Sequence, residues 1–299
     1  RETGDRARPN ARRGEFAMNT TRQAEIAAAF RARHHAARGN GARPLVLPNV
    51  WDAMSARLFA GAGFDALATT SGGVAWALGH PDGEAAPWPE VVAATARIVR
   101  AAGVPVSADI EAGYGATPEE VGAHVAEIIA TGVAGINLED GHKGALRATD
   151  DAAARIAAAR AAADASGVPI VINARCDVFL HGKTPAAEAH AIAVERGRAY
   201  LAAGADCVYP IGLRAPDAIA AFVRAIDAPV NVTGRPGMPD AAALGRAGVA
   251  RITLATLPAL VTMAAIRQLA TDLRAQGGFD PLAATITHPD AQALFQAKR

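Results

Sequence analysis

VPVSADIEAGYG, residues 104 to 115, is an apolar run that ends in two carboxylates and a glycine-containing turn. Val104, Val106 and Ile110 are β-branched, which is typical of a strand buried on both faces of a parallel sheet. Asp109 and Glu111 stand where that strand ends. The stretch therefore predicts a buried strand that carries two acids into a loop. The alternative is that these acids pair with surface bases or cap a helix.

The composition of the 299-residue chain excludes several classes of protein. Hydrophobic residues make up 51% of it, and the formal net charge is +1 with both signs interleaved, so neither a nucleic-acid nor a membrane partner is indicated. No apolar run reaches the length of a membrane span. Cys176 and Cys207 each lie in an apolar, strand-like segment, which predicts two reduced, buried thiols in a cytoplasmic protein.

The N-terminal segment is set apart from the rest. Residues 1 to 17 lack apolar periodicity and precede Met18, so we interpret them as a disordered tail or the remnant of an expression sequence. Residues 18 to 299 are expected to form one domain, with an Ala/Arg-rich helix at 19 to 39 before the fold proper.

From there a short β-branched run, a polar loop and an alanine-rich amphipathic stretch alternate along the chain. We count eight candidate strands, at residues 44–49, 64–70, 104–109, 134–139, 169–174, 205–210, 229–233 and 249–255. Eight β-α units with short connections predict a (β/α)8 TIM barrel of the α/β class. An open, doubly wound sheet is the alternative, although no G-x-G-x-x-G follows the first strand.

Helix boundaries support this division. Starts are indicated by Asp52, by the run Thr117-Pro118-Glu119-Glu120 and by Ala215-Pro216-Asp217. Glycines that suit helix ends follow several helices: Gly103, Gly132, Gly167, Gly204 and Gly248. Helix 256–276 and the tail after it exceed what one barrel needs, so this helical extension is expected to pack on a neighbouring subunit.

Active sites of barrel enzymes lie at the carboxyl ends of the strands. Polar residues at these ends are Asn49, Asp52, Ser71, Asp109, Glu111, Glu139, Asp140, Arg175, Asp177, Tyr209, Asn231 and Thr233. Clustered carboxylates without histidine or cysteine favour a hard cation, Mg2+ or Mn2+. Arg175 could bind a substrate carboxylate or phosphate through two parallel hydrogen bonds. The alternative role for Arg175 is a structural ion pair with Asp177 or Glu139.

Five motifs in this order resemble the isocitrate lyase and phosphoenolpyruvate mutase superfamily over roughly residues 40 to 275: LFAGAGFDALATTSGGVAWALGHPDGE, ADIEAGYG, GINLEDGH, NARCDVF and YLAAGAD. The resemblance implies a (β/α)8 barrel whose last helix is exchanged between subunits, in a homodimer or homotetramer. It also implies Mg2+ and a 2-oxo acid or its enolate.

The resemblance also implies roles for single residues. The D-x-D-x-G-Y-G motif falls on Asp109 to Gly115, with Glu111 in place of the second aspartate, so Asp109 would contact the metal while Glu111 and Glu139 hold metal-bound waters. The implied binders of the substrate are Ser71, Gly72, Arg175 and Asn231. The implied catalytic residues are Arg175, Glu139, the mobile Asp82 and His142.

Two departures from the family pattern concern proton transfer. Isocitrate and methylisocitrate lyases carry a K-x-C-G-H lid motif and a tyrosine two positions before S-G. Here the lid stretch is GHKGALRATD, and Thr69 stands in place of the tyrosine. His142 and Lys143 could supply a proton, and a solvated loop histidine is the other interpretation.

The sequence thus predicts a Mg2+-dependent lyase that cleaves a carbon-carbon bond of a small 2-oxo or 2-hydroxy carboxylic acid through a metal-stabilised enolate, and that is not a true isocitrate or methylisocitrate lyase. One alternative is a phosphonate mutase or hydrolase. Another is a catalytically silent barrel that binds an oxo acid.

Overall fold

The structure is a computed structural model, and it describes residues 20–38, 41–180, 184–283 and 286–296 of the chain. The predicted N-terminal tail, residues 1 to 17, lies outside these ranges. None of the helices in the described ranges combines the length and apolarity needed to cross a membrane.

Parallel strands form two sheets. The first contains β1 (Leu45–Leu47), β11 (Arg251–Thr253) and β10 (Asn231–Thr233), in that order. The second runs in the order β2 (Asn49–Val50), β3 (Leu67–Thr69), β4 (Val106–Asp109), β5 (Gly135–Glu139), β8 (Val171–Cys176) and β9 (Cys207–Pro210). A single bridge pairs Val208 with Val230.

Helices separate the strands along the chain. They are α1 (Thr20–Ala36), α2 (Ala53–Gly61), α3 (Ser71–Leu78), α4 (Trp88–Ala102), α5 (Pro118–Ile129), α6 (Thr149–Ser166), α7 (Ala186–Ala202), α8 (Pro216–Ala225), α9 (Ala241–Arg246), α10 (Leu257–Gln276) and α11 (His288–Gln296). The α/β class and each of the eight predicted strands are confirmed.

Local chemistry explains the predicted boundaries. The Asp52 carboxylate accepts a hydrogen bond from the Ser55 amide at 2.6 Å, and the Ser55 side chain returns one, so α2 begins with a capping box. Thr117 Oγ1 accepts from the Glu120 amide at 3.3 Å at the start of α5. All five glycines predicted to end helices have positive φ, a conformation that other residues resist.

Three details differ from the sequence prediction. The first strand is divided into β1 and β2 by Pro48, which has no N–H to give to a ladder. The fifth predicted strand extends to Cys176. The stretch that replaces the lid forms an antiparallel hairpin of β6 (Gly141–His142) and β7 (Ala145–Leu146), which short alternating patterns do not reveal.

The pairing register of the strands determines where the acidic side chains lie. Strand β5 pairs with β8 so that Glu139 lies opposite Arg175, and Asp109 at the end of β4 lies opposite Asn137. Because parallel strands end at the same edge, these side chains meet at one end of the sheet. Below them, on the same face, the interior is polar: Asn173 Nδ2 donates to Asn137 Oδ1 at 2.7 Å, and Arg251 Nη2 donates to the same oxygen at 3.2 Å. Ile136 and Ile172 lie on the opposite face of these strands and are fully buried.

Helix α10 leaves large apolar side chains exposed. In the single chain Val261 is 71% exposed and Ile266 62%, and the expected packing of this extension on a neighbouring subunit stays a prediction. Within this chain α10 contacts β2 and the short 3-10 helix at Asp280–Leu282.

Candidate active site

Two adjoining cavities lie at the carboxyl ends of the strands. The inner one has a volume of about 190 Å³ and is lined by residues that include Ser71, Asp82, Asp109, Arg175, Tyr209 and Thr253. The outer one has about 660 Å³ and is lined by residues that include Glu84, Glu111, Tyr114, Glu139, His142 and Asp177. They adjoin because Glu139 in the outer cavity contacts Arg175 in the inner one.

Asp109 offers one carboxylate oxygen to the inner cavity. Its Oδ2 accepts a hydrogen bond from the Ser71 amide at 3.0 Å, and its own amide donates to Thr69 Oγ1 at 2.8 Å. Its Oδ1 is buried and has no hydrogen-bond partner among the described residues. A buried carboxylate oxygen left without a partner is costly, so this atom is suited to bind a cation or a ligand.

The turn after β4 is held by a network of three side chains. Tyr114 Oη donates to Glu111 Oε1 at 2.8 Å, and the Glu84 amide donates to Glu111 Oε2 at 2.8 Å. The Tyr114 amide in turn donates to Glu84 Oε1 at 2.7 Å. All three residues have positive φ, at 52° for Glu111, 57° for Tyr114 and 60° for Glu84. Such strain persists only where the surroundings impose it, commonly at functional sites.

The acids of this site repel one another. Burial raises the pKa of Glu111 to about 7; the hydrogen bond from Tyr114 opposes the shift, while nearby Asp109 and Asp82 add to it. Burial and then Asp109 also raise the pKa of Asp82. Since both shifts arise from desolvation and like charge, a bound cation would relieve them.

Arg175 is clamped by two acids. Its Nε and Nη2 donate to the two carboxylate oxygens of Asp177 at 2.7 and 2.8 Å, and Nη1 contacts the Glu139 carboxylate. Burial lowers the pKa of the Arg175 guanidinium, but Glu139 and Asp177 more than offset this and raise it. Both ion pairs left open by the sequence are therefore present, and Arg175 lines the inner cavity as well.

Helix α3 begins at the inner cavity. A Cβ at Gly72 would lie 3.0 Å from Asp82 Oδ2 and 3.0 Å from Thr256 Cγ2, so a larger residue there would push these side chains away from the first turn. The N-terminal amides of a helix carry partial positive charge and bind anions. Ser71 and Gly72 are the first two residues of this helix, and their binding of a carboxylate stays a prediction.

His142 lies in the outer cavity, away from Asp109 in the inner one. The hairpin that carries it turns through Lys143 and Gly144, which have φ of 49° and 77°. Burial and then Arg147 lower the pKa of His142.

Several other residues named from the sequence lie elsewhere. Asn231 is fully buried, and its Nδ2 donates to Thr253 Oγ1 at 3.1 Å. Asp140 is 1% exposed, and its carboxylate binds Arg196 and Tyr200, so the acids around Arg175 are Glu139 and Asp177. Burial raises the thiol pKa of Cys176 and Cys207, as expected of structural cysteines.

Sequence reasoning gave no role to two residues of the site. Glu84 holds both Glu111 and Tyr114, and only its place in the motif GHPDGE could have indicated it. Tyr209 lines the inner cavity, and its Oη lies 2.5 Å from Thr233 Oγ1.

The donor set can be compared with the predicted metal. In the described ranges, no group of three His, Cys, Asp or Glu side chains is close enough to hold an ion directly. The residues nevertheless fit Mg2+, which keeps several waters and takes one or two carboxylates. Asp109 provides the partnerless oxygen. That Glu111 and Glu139 hold waters around the ion stays a prediction.

These features define a class of α/β protein in which acidic and glycine-rich loops at the ends of parallel strands enclose a small polar cavity. Residues 30–274 match the protein-family model for phosphoenolpyruvate phosphomutase. The chain therefore belongs to the phosphoenolpyruvate mutase and isocitrate lyase superfamily, which confirms the resemblance drawn from its motifs.

Similar proteins cover most of the chain. A Burkholderia cenocepacia J2315 protein, provisionally assigned as a phosphonomutase, is 46% identical over 83% of this chain and 99% of its own, with a TM-score of 0.78. An uncharacterized protein of Mycobacterium tuberculosis H37Rv is 36% identical over 72% of this chain and 79% of its own. A 2,3-dimethylmalate lyase of known crystal structure is 26% identical in sequence to this chain. The match covers 90% of this chain and 94% of the lyase chain, with a TM-score of 0.79.

Proposed function

We propose that this protein is a Mg2+-dependent lyase that cleaves a carbon-carbon bond of a small 2-oxo or 2-hydroxy carboxylic acid. The observation that carries the proposal is the partnerless Oδ1 of Asp109, buried at a 190 Å³ cavity that also contains Arg175 and the first residue of α3. An anion-binding helix end, a cation-binding carboxylate and a guanidinium together suit an acid that bears a second oxygen function.

The metal would be held by Asp109 directly and by Glu111 and Glu139 through water. A bound Mg2+ would polarise the 2-oxo or 2-hydroxy oxygen and stabilise negative charge as the neighbouring bond breaks. The hydrogen bonds that Glu111 receives from Tyr114 and Glu84 keep its carboxylate in place before any ligand arrives, which lowers the cost of organising the site.

The protein groups orient the substrate. Ser71 and Gly72 would hold its carboxylate at the start of α3; because the Ser71 amide donates to Asp109 Oδ2, Ser71 would contribute its hydroxyl and Gly72 its amide. Arg175 uses three of its five N–H groups on Asp177 and Glu139, which leaves two for a substrate oxygen. The inner cavity is smaller than the roughly 300 Å³ at which drug-sized pockets begin, so it suits a skeleton of a few carbon atoms.

His142 is proposed to handle the proton. It lines the outer cavity, which adjoins the inner one where Glu139 contacts Arg175, and an imidazole is the side chain most often used for proton transfer. Asp82, whose pKa is raised beside Asp109, is proposed to close the inner cavity on the substrate.

Relatives support cleavage beside a carbonyl. Among similar proteins are a 2,3-dimethylmalate lyase of Eubacterium barkeri, an oxaloacetate decarboxylase 2 of Pseudomonas putida W619 and an oxaloacetate acetylhydrolase. Each name states a reaction on a small carboxylic acid, and we extend that substrate class to this chain.

The test is an assay of pyruvate, glyoxylate, oxalate and carbon dioxide release from a panel of 2-oxo and 2-hydroxy acids, with Mg2+ and with chelator. We expect metal-dependent release from at least one acid, and its loss in Asp109→Ala. Binding of the acids without turnover would contradict the lyase and support a silent, acid-binding barrel.

A phosphonate mutase or hydrolase is the second candidate. It is favoured by the 46% identity with the Burkholderia protein provisionally assigned as a phosphonomutase. Phosphorus NMR with 2-oxo phosphonates in the same panel distinguishes the two, because loss of the phosphonate signal would assign the second reaction.

We also propose that the two sheets form one closed barrel. Strands β1 and β2 are separated only by Pro48, and the bridge between Val208 and Val230 joins the opposite edges. A crystal structure in which Val208 and Val230 are unpaired would contradict closure.

A further inference from the structure

Three buried side chains form a cluster behind the active-site arginine. Asp140 Oδ2 accepts hydrogen bonds from Arg196 Nη1 at 2.9 Å and from Tyr200 Oη at 2.6 Å. Arg196 Nη1 also lies 2.8 Å from Tyr200 Oη. Asp140 and Tyr200 are 1% and 0% exposed. None of the three lines the inner or the outer cavity, so an effect of the cluster on the site would pass through its neighbours.

Those neighbours are Asp177, which clamps the Arg175 guanidinium, and the backbone of Arg175 itself. The Asp177 amide donates to Asp140 Oδ1 at 2.8 Å, and the Asp140 amide donates to the Arg175 carbonyl at 3.1 Å. Asp177 then binds the Arg175 guanidinium through both carboxylate oxygens. Asp140 therefore holds the backbone of both Arg175 and Asp177, the two residues joined by the paired hydrogen bonds.

The same cluster holds the end of the hairpin. Arg196 Nη2 donates to the Arg147 carbonyl at 2.6 Å, and the Arg147 amide donates to the Asp140 carbonyl at 2.9 Å. Helix α7 thus anchors both Arg175 and the residue that follows the hairpin with His142.

We propose that Asp140, bound by Arg196 and Tyr200, is a positioning residue that fixes the orientation of the Arg175 guanidinium at the inner cavity. A carboxylate that accepts from a backbone amide and two side chains is rigid, since its four acceptor sites are largely used. Asp140 restrains Asp177 through the hydrogen bond from the Asp177 amide. The Asp177 carboxylate in turn restrains the Arg175 guanidinium through two hydrogen bonds.

A matched control lies at the other end of β8. Asp206, 3% exposed, accepts from the Ile172 amide at 2.8 Å and binds Arg160 at 2.5 Å and Arg31 at 2.6 Å. It is built like Asp140, with an amide of the strand and guanidinium groups, but has no connection to Arg175. Asp206→Asn therefore reproduces the structural damage without the positioning effect.

The first readout does not depend on any activity. In protein labelled with 15N-arginine, the Nε–H signal of Arg175 is assigned by its loss in Arg175→Lys, and its hydrogen exchange with solvent is measured. We expect exchange to become roughly tenfold faster in Asp140→Asn, because Arg196 and Tyr200 lose their charged acceptor and the Asp177 amide is then held less firmly. A smaller increase is expected in Tyr200→Phe, which removes one of these hydrogen bonds. Asp206→Asn should leave the rate unchanged.

Two further variants keep the test decisive if Asp140→Asn does not fold. Arg196→Lys retains a cation for Asp140 and should restore most of the protection that Arg196→Met loses. An unchanged rate in Tyr200→Phe and Arg196→Met, or an equal increase in Asp206→Asn, would overturn the proposal.

The second readout rests on the proposed function. With an acid that the protein turns over, Asp140→Asn should lower kcat more than it raises KM, because a misplaced guanidinium serves the transition state less well. Absence of turnover in the wild-type protein would refute the proposed function alone, since the exchange measurement still decides whether Asp140 positions Arg175.

Discussion

Ser71 and Asp109 are joined by a hydrogen bond of 3.0 Å from the Ser71 amide to Oδ2, which leaves Oδ1 of the same carboxylate buried without a partner. The hydrogen bond between the start of α3 and the end of β4 therefore fixes Oδ2 of Asp109 and leaves Oδ1 available to a ligand. An aspartate in solution offers two equivalent oxygens, whereas this one presents a single oxygen in one direction. That arrangement suits a cation with a fixed coordination geometry.

Replacing Asp109 by Ala should abolish Mg2+ binding and leave the fold intact. Loss of even a residue outside the direct ligands costs about 10- to 100-fold in metal affinity, so a direct ligand should cost about 100-fold or more. Calorimetric titration with Mg2+ measures this. Asp52→Ala is the control: it removes the cap of α2, lowering the free energy of unfolding by about 1 kcal/mol, and should not change metal affinity. Unaltered affinity in Asp109→Ala would contradict the assignment.

Without metal, stability should fall as pH rises from about 4.5 to about 7. The pKa of Glu111 is raised from 4.5 to about 7 in the folded protein, so in this window the native state binds the proton and the unfolded state does not. Loss of that proton costs stability, on the order of 3 kcal/mol over the whole window.

Urea denaturation between pH 4.5 and 8 in the presence of chelator measures this dependence. Glu111→Gln should have a flatter slope, because glutamine does not titrate, whatever its absolute stability. A slope identical to that of the wild-type protein would show that Glu111 is not the group responsible.

The chain should assemble through α10, as a dimer or tetramer. Val261 and Ile266 are 71% and 62% exposed in a single chain, and side chains of this kind lose contact with water in an interface. Sedimentation at micromolar concentration should show an oligomer that Val261→Glu weakens. Leu180→Glu is the control, since Leu180 is 47% exposed but lies outside α10. A monomeric wild-type protein would refute the prediction.

Isocitrate and 2-methylisocitrate should not be cleaved at appreciable rates. The hairpin at the lid position turns through Lys143 and Gly144 and carries no thiol, and Thr69 is occupied by its bond to the Asp109 amide. A general acid or base contributes about two to four powers of ten in rate, so both losses should leave only a trace. Turnover of either acid with Mg2+ near the typical value of about ten per second would point to His142 or Tyr114 as the proton carrier.

Much of this architecture could be predicted from residue patterns. The eight strands, the cap at Asp52 and the glycine helix ends could be predicted because hydrophobic periodicity, capping and backbone preference are properties of neighbouring residues in the sequence. Parallel strands end at one edge, so the approximate meeting of Asp109, Glu139 and Arg175 could also be predicted.

Side-chain partners were decided by the tertiary structure. Asp140 follows Glu139 directly in sequence, yet Glu139 contacts Arg175 while Asp140 binds Arg196 and Tyr200 of α7. Successive residues at a strand end point in opposite directions, and only the packing of α7 shows which direction meets a charged partner. The positive φ of Glu111 is likewise imposed by long-range hydrogen bonds, since its own side chain disfavours that conformation.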